Sequence, residues 1–311
     1  MSGKTIMIVG LKVFALTIIL TLCFILAAAL SLGSQPVAGA VDESTPADGG
    51  SALLPLLVSS FLQTVVFTHI ILRSRLTGWK LTGAIFLAFY GLQTVVAHIE
   101  SAVYLTTQLP PGMIPRLFVM GAIVAGVFSP LAVLILGKMR RKEALEAPTQ
   151  RVDMPLSEWA WKLVAIAAAY LVLYYTFGYF VAWRNPAVQE YYGGTDPGSF
   201  FAQMAGIWRA TPWMFAWQAF RGLLWAAFVL PVIRMHKGGR WEVALATASL
   251  FAVWSSALLL PNPYMSEAVA RAHLVETACS MFIFGLVVGW LLSRRHSLLP
   301  DVFPPLPEAS A

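Results

Sequence analysis

Charge is what this chain has least of. Charged residues make up 12% of its 311 positions and apolar residues 58%, whereas a soluble domain carries roughly 25% charged residues. A chain of this length folding in water would need a much larger polar surface, so the deficit points to lipid as the solvent. Cysteine is nearly absent. Cys23 and Cys279 both fall inside apolar runs, where a thiol behaves as a small hydrophobe. That excludes a disulfide framework, and no CxxC or Cys/His zinc spacing exists. Nucleotide signatures are missing as well. Without a P-loop or GxGxxG, and without a GxSxG elbow, ATP-driven, dinucleotide-dependent and serine-hydrolase chemistry lack their usual carriers. The net charge of +6 comes without the interleaving of basic and aromatic residues that reads nucleic acid.

What the chain has instead is long apolar runs. A spanning helix needs about 20 mostly apolar residues, and eight segments qualify: Met7 to Leu32, Ala52 to Leu72, Leu81 to Leu105, Ile114 to Leu136, Trp159 to Ala182, Trp213 to Ile233, Trp241 to Leu260 and Ala270 to Leu292. The sequence therefore predicts an all-α polytopic bundle over residues 1–296, followed by a proline-rich disordered tail at 297–311.

The connections give the orientation. Lys4 precedes the first span. Arg73, Arg75 and Lys80 follow the second, and Lys138, Arg140, Arg141, Lys142 and Arg151 follow the fourth. Arg234, Lys237 and Arg240 follow the sixth, and Arg294 and Arg295 follow the eighth. The intervening connections are poor in Lys and Arg, and the one after the first span carries Asp42, Glu43 and Asp48. This alternation places both termini and the 137–158 loop in the cytoplasm. Trp79, Trp159, Trp161, Trp183, Trp213 and Trp241 lie at span ends, where an indole suits the membrane interface. With no N-x-S/T sequon, the pattern fits a bacterial inner membrane. The first span has a rival reading as a signal peptide cut at Ala38-Gly39-Ala40. Its apolar core is about twice the usual length, which favours a retained anchor.

Outside the lipid, the longest external loop is 184–212. Turns at Gly193-Gly194 and Asp196-Pro197-Gly198 precede Ser199, which is placed to cap a short helix. Phe200, Met204, Ile207 and Trp208 fall near one face of that helix, which reads either as an amphipathic helix on the outer surface or as a lid. Leu62-Gln63-Thr64-Val65-Val66 recurs as Leu92-Gln93-Thr94-Val95-Val96, but on antiparallel neighbouring spans. Gly285-x-x-x-Gly289 allows close helix approach.

Ionisable residues inside spans are costly and usually face a bundle interior or a cavity. At about 1.5 Å per residue, Glu100 lies about 7 Å below the outer boundary, Glu276 about 9 Å and Arg221 about 12 Å. His273 is shallower, and Arg116 and Arg271 sit near outer span starts. The inner halves hold little comparable apart from His69 and the interfacial Lys12 and Lys162. Helical periodicity puts Gln93, Glu100 and Tyr104 on one face of the third span, with His98 roughly opposite. It puts Gln218, Arg221 and Trp225 on one face of the sixth, and His273, Glu276 and Ser280 on one face of the eighth. These faces are expected to meet around one outward-facing cavity.

Glu100, Glu276, His273 and Arg221 are the candidate catalytic residues. Gln93, Gln218, Arg116, Arg271 and Tyr104 are the candidate ligand-binding ones. An Arg221 pair with Glu100 or Glu276 satisfies two otherwise prohibitive charges. Several readings stay open. His273, Glu276 and Glu100 form a candidate divalent-metal site, with a metal-bound water acting on a lipid-derived or small polar ligand. Without metal, a glutamate serves as general base beside Arg221. A proton-coupled transporter would use the same carboxylates. An accessory membrane subunit would use the charges only to lock helices. Bis-histidine haem would need His98 and His273 at matching depth. Oligomeric state is open.

Overall fold

The structure is a computed structural model that describes residues 3–32, 49–105, 109–140, 154–196, 198–262 and 264–296. Asp42, Glu43, Asp48, the Ala38–Ala40 segment, Arg141, Lys142, Arg151, Pro197 and the 297–311 tail lie outside the described residues. Of the described residues 83% are helical, and among them eight helices are long and apolar enough to cross a membrane. They are Gly3–Leu32, Ala52–Leu72, Gly78–Tyr104, Met113–Ile135, Leu156–Ala182, Trp213–Met235, Arg240–Leu259 and Glu267–Leu292. Each matches a predicted span, with boundaries differing by no more than four residues, because an uninterrupted apolar run of this length can satisfy its backbone in lipid only as a helix.

The exterior confirms the solvent. Leu26, Leu30, Phe61, Val172 and Ile283 point outward and are exposed, as expected where the surroundings are acyl chain. Trp79, Trp213 and Trp241 are exposed at span ends. The protein is a multi-pass integral membrane protein.

The spans close into a ring. Sequence neighbours pair as four helical hairpins: first with second, third with fourth, fifth with sixth, and seventh with eighth. The hairpins then join through contacts of first with fourth, third with sixth, fifth with eighth, and second with seventh. The tightest seam is inside the last hairpin. A Cβ placed on Gly285 would lie 2.5 Å from Ala248 Cα, and one on Gly289 would lie 2.7 Å from Ala244 Cα, so the two backbones meet where only glycine fits. Between the second and seventh spans a polar chain runs inward. Gln63 Nε2 donates to Ser59 Oγ at 3.1 Å, and Ser59 and Ser256 hydroxyls bond at 2.8 Å.

The two ends of the ring differ. Towards the basic end the interior is more tightly filled, with Phe128, Phe251, Ile70, Ile85 and Val133 fully buried, and it holds a smaller pocket of about 300 Å³ beside Arg75, Ile233 and His236. Two turns are stitched there by an antiparallel bridge between Ser74 and His236, with Arg75 N donating to Met235 O at 2.7 Å and Lys237 N to Arg73 O at 2.8 Å. Lys162, near the start of the fifth span, is fully buried within the protein, donating to Glu158 Oε1 at 2.7 Å and to Arg294 O at 2.6 Å. Glu158 Oε1 also accepts from His296 N at 2.6 Å, so one buried pair pins the end of the eighth span to the start of the fifth.

Candidate functional site

The opposite end of the ring is hollow. A chamber of about 1190 Å³ opens there, and all eight spans contribute to its wall. Its floor is aromatic. Trp225 is buried against Phe251 and Trp254, with ring centroids 4.8 and 5.7 Å away, and Phe284 packs on Tyr170 at 5.0 Å.

Local helix distortions shape the wall. The third span widens into a π-helical stretch at Tyr90–Val95, and the fifth ends in another at Gly178–Ala182. Such stretches sit in α-helices mostly at functional positions. Here both border the chamber, and the second leaves Gly178 facing Glu276: a Cβ there would lie 3.5 Å from Glu276 Oε1. At Gly222 a Cβ would be 2.6 Å from Tyr170 Cβ, so glycine lets the sixth span bring Arg221 close to the fifth.

Arg221 is buried and makes the bond expected of it. Its Nη1 donates to Glu100 Oε1 at 2.6 Å, and its Nη2 donates to Glu100 Oε2 at 2.5 Å. This two-pronged geometry matches a guanidinium to a carboxylate. Nη1 also donates to Gln218 Oε1 at 2.8 Å, and Gln218 Nε2 donates to Tyr104 Oη at 2.8 Å. The guanidinium stands 5.9 Å from the Tyr170 ring centroid. Four predicted residues (Glu100, Arg221, Gln218 and Tyr104) thus form one network joining the third and sixth spans.

The eighth span carries a second network. His273 Nδ1 and Glu276 Oε2 are 2.7 Å apart, and His273 Nε2 lies 3.2 Å from Tyr192 Oη. A neutral imidazole with its proton on Nδ1 satisfies both contacts, donating to the carboxylate and accepting from the phenol. Tyr192 is 36% exposed, but desolvation at the chamber mouth, then the nearby Glu100 carboxylate, push its phenol above the ordinary range, so at neutral pH it is a donor. A carboxylate that orients an imidazole whose other nitrogen faces a hydroxyl is an arrangement that moves protons.

Glu100, Arg221, His273, Glu276, Gln93 and Tyr104 all line the chamber. Gln218 stands behind the wall as a support. His98 lines it too, contrary to the helical-face expectation, because the third span's end projects into the space and exposes both faces. Its ring meets Phe118 edge-on at 5.9 Å, and its buried Nδ1 has no hydrogen-bond partner in the structure. Arg116 and Arg271 are not brought in. Arg116 reaches Leu32 O at 3.5 Å, and Arg271 pairs on the surface with Glu267 four residues earlier. The metal triad of His273, Glu276 and Glu100 does not assemble: Arg221 holds Glu100, and among the described residues the ligating atoms that converge belong to His69, His236 and Glu242. Sequence reasoning missed Tyr192, Tyr170 and Gln63, which also line the chamber.

A short helix, Phe200–Ala210, covers the chamber mouth. Ser199 caps it, accepting from Ala202 N at 3.1 Å. Met204 and Ile207 line the chamber, Phe200 packs on Tyr179 at 5.6 Å, and Phe201 and Trp208 point outward. The predicted helix and cap are present, and the helix takes the position of a lid.

No protein family, curated protein or solved structure matched the chain.

Proposed function

We propose that the chamber binds a small polar or lipid-derived ligand and that His273, oriented by Glu276, exchanges a proton with it. The observation that carries this reading is the contrast between two kinds of buried charge. Glu158 and Lys162 are paired within solid packing, 5% and 0% exposed, which is what a pair that only locks helices looks like. Glu100–Arg221 and His273–Glu276 instead face a space of about 1190 Å³. Ligand sites are commonly about 300–1,000 Å³, mostly apolar, with a few convergent polar groups. The chamber's aromatic and aliphatic wall suits a chain or ring, and its two networks suit a polar head.

The chamber belongs on the external face of a bacterial inner membrane, with both termini cytoplasmic. Arg73, Lys138, Arg234, Lys237 and Arg294 all lie at the other end of the ring, which the positive-inside rule assigns to the cytoplasm. A proton-coupled carrier would need a continuation from the chamber floor to that end, and Phe128 and Phe251 within the bundle are both 0% exposed. The closed floor favours binding and catalysis over transport.

Mass spectrometry of solvent extracts from protein purified in mild detergent tests the reading. A discrete amphiphile should co-purify with the wild type and be lost from Ser101→Trp, which fills the chamber from its wall. An extract holding only detergent, or the same profile from both proteins, would overturn it.

A further inference from the structure

A second cluster of reactive side chains lies at the basic end, remote from the chamber. His69 ends the second span, His236 follows the sixth, and Glu242 opens the seventh. Their ligating atoms all lie within 4.8 Å of one another. His236 Nε2 is 3.3 Å from Glu242 Oε1, and His69 Nε2 is 3.8 Å from the same oxygen. The two imidazole centroids are 5.7 Å apart.

The backbone holds this cluster together. The bridge between Ser74 and His236 fixes the turn that carries His236 against the end of the second span. The next turn is glycine-built: a side chain on Gly238 would collide with the Glu242 carboxylate. His236 is buried, whereas His69 and Glu242 are 48% and 32% exposed. One ligand is thus rigid and two can adjust.

We infer that His69, His236 and Glu242 bind a divalent transition ion of the zinc class. Two imidazoles and one carboxylate are a donor set that suits zinc, nickel or cobalt and does not suit magnesium or calcium. Bonds of about 2.0–2.1 Å from a tetrahedral ion place ligand atoms roughly 3.3 Å apart. The contacts at 3.3 and 3.8 Å are close to that, and the adjustable His69 and Glu242 side chains can close the rest. Three protein ligands leave one position for water.

Arg73 competes for the site. Its Nη2 donates to Glu242 Oε2 at 2.6 Å, and its Nε donates to Oε1, so the guanidinium neutralises the carboxylate the ion would use. Arg73 is 45% exposed and can turn into solvent when the ion binds. The competition makes a specific prediction: removing Arg73 should tighten binding, whereas removing a ligand should weaken it. A purely structural ion pair has no such signature.

The test is titration of the full-length, tag-free protein in detergent with Co²⁺, read as the visible absorption of a low-coordinate cobalt site, and with Zn²⁺ in competition. The wild type should bind about one ion per chain, with no displacement by Mg²⁺. Arg73→Ala should bind roughly 10-fold tighter, and His236→Ala or Glu242→Gln weaker by at least the roughly 10–100-fold that losing a mere outer-shell partner costs. His69→Ala, an exposed and benign change, guards against misfolding of the His236 variant and should also weaken binding. Absence of saturable binding in both the wild type and Arg73→Ala would overturn the inference. So would binding that survives His69→Ala and Glu242→Gln. Neither result bears on the chamber, which shares no residue with this cluster.

Discussion

Arg221 holds both carboxylate oxygens of Glu100 across 121 residues of sequence, at 2.6 and 2.5 Å. Either charge alone is costly inside the bundle, so removing one partner should be worse than replacing both. Arg221→Ala should destabilise the protein by about 1–3 kcal/mol, because it leaves the Glu100 carboxylate, 28% exposed towards the chamber, without its partner. The double variant Arg221→Met with Glu100→Leu should recover most of that loss. Reversible denaturation in mixed micelles measures both, and equal losses in the single and double variants would refute the pairing as the source.

The His273 network should respond unevenly to truncation. His273→Ala leaves the buried Glu276 carboxylate without its partner and should cost about 1–3 kcal/mol. Tyr192→Phe removes only a contact at the chamber mouth and should stay within about 1 kcal/mol of the wild type. The same denaturation series compares them. If Tyr192→Phe proves the more damaging, the hydroxyl is a structural tie and not the exposed end of a proton path.

Tyr192 also makes an alkaline prediction. Partial desolvation at the chamber mouth raises its phenol above the ordinary value, so near pH 10 the unfolded chain loses this proton while the folded chain keeps it. The folded state then binds more protons, and stability falls as pH rises past about 10. In a spectroscopic tyrosinate titration, the wild type and Tyr192→Phe should superpose through that range. A signal missing from the variant near pH 10 would show that Tyr192 ionises normally.

Helix contact in the last hairpin depends on two missing side chains. A Cβ on Gly285 would sit 2.5 Å from Ala248 Cα, so Gly285→Leu must push the seventh and eighth spans apart. The expected cost is about 1–3 kcal/mol or more from overpacking, with a broadened profile in size-exclusion chromatography. Gly126→Leu is the control, since its nearest neighbour would be a Phe86 ring atom 4.0 Å away, and it should behave like the wild type.

The spans and the Glu100–Arg221 pair were legible because each follows from one strong local rule. Twenty apolar residues in lipid must form a helix, and a buried arginine must find a carboxylate. Arg116 and Arg271 lie near the span starts where the sequence puts them but do not line the chamber, because long side chains near a span end have local alternatives. Arg271 took Glu267, one turn away. The position of Lys162 near a span end gives no sign that it is enclosed by protein. Its burial depends on Glu158 four residues earlier, a spacing visible in the sequence, and on the Arg294 carbonyl, which is not. His98 escaped the face argument because a helix end that projects into a cavity has no single inner face. Tyr192 and the His69–His236–Glu242 cluster were illegible for a common reason. Each is completed by a connection whose path depends on how the hairpins meet, and hydropathy carries no information about that.

The order of the ring has a consequence for biogenesis. Three of the four joints between hairpins link neighbours in the chain and can form as each hairpin enters the bilayer. The fourth links the second span to the seventh, with Ser59 and Ser256 meeting across 197 residues. Until translation has delivered the last hairpin, the circle is an open arc whose polar inner surface faces acyl chains. The Glu100–Arg221 pair can already be made in that arc, whereas His273 and Glu276 arrive last. In that arc Glu100 and Arg221 already neutralise each other, and the chamber closes only when the second and seventh spans meet.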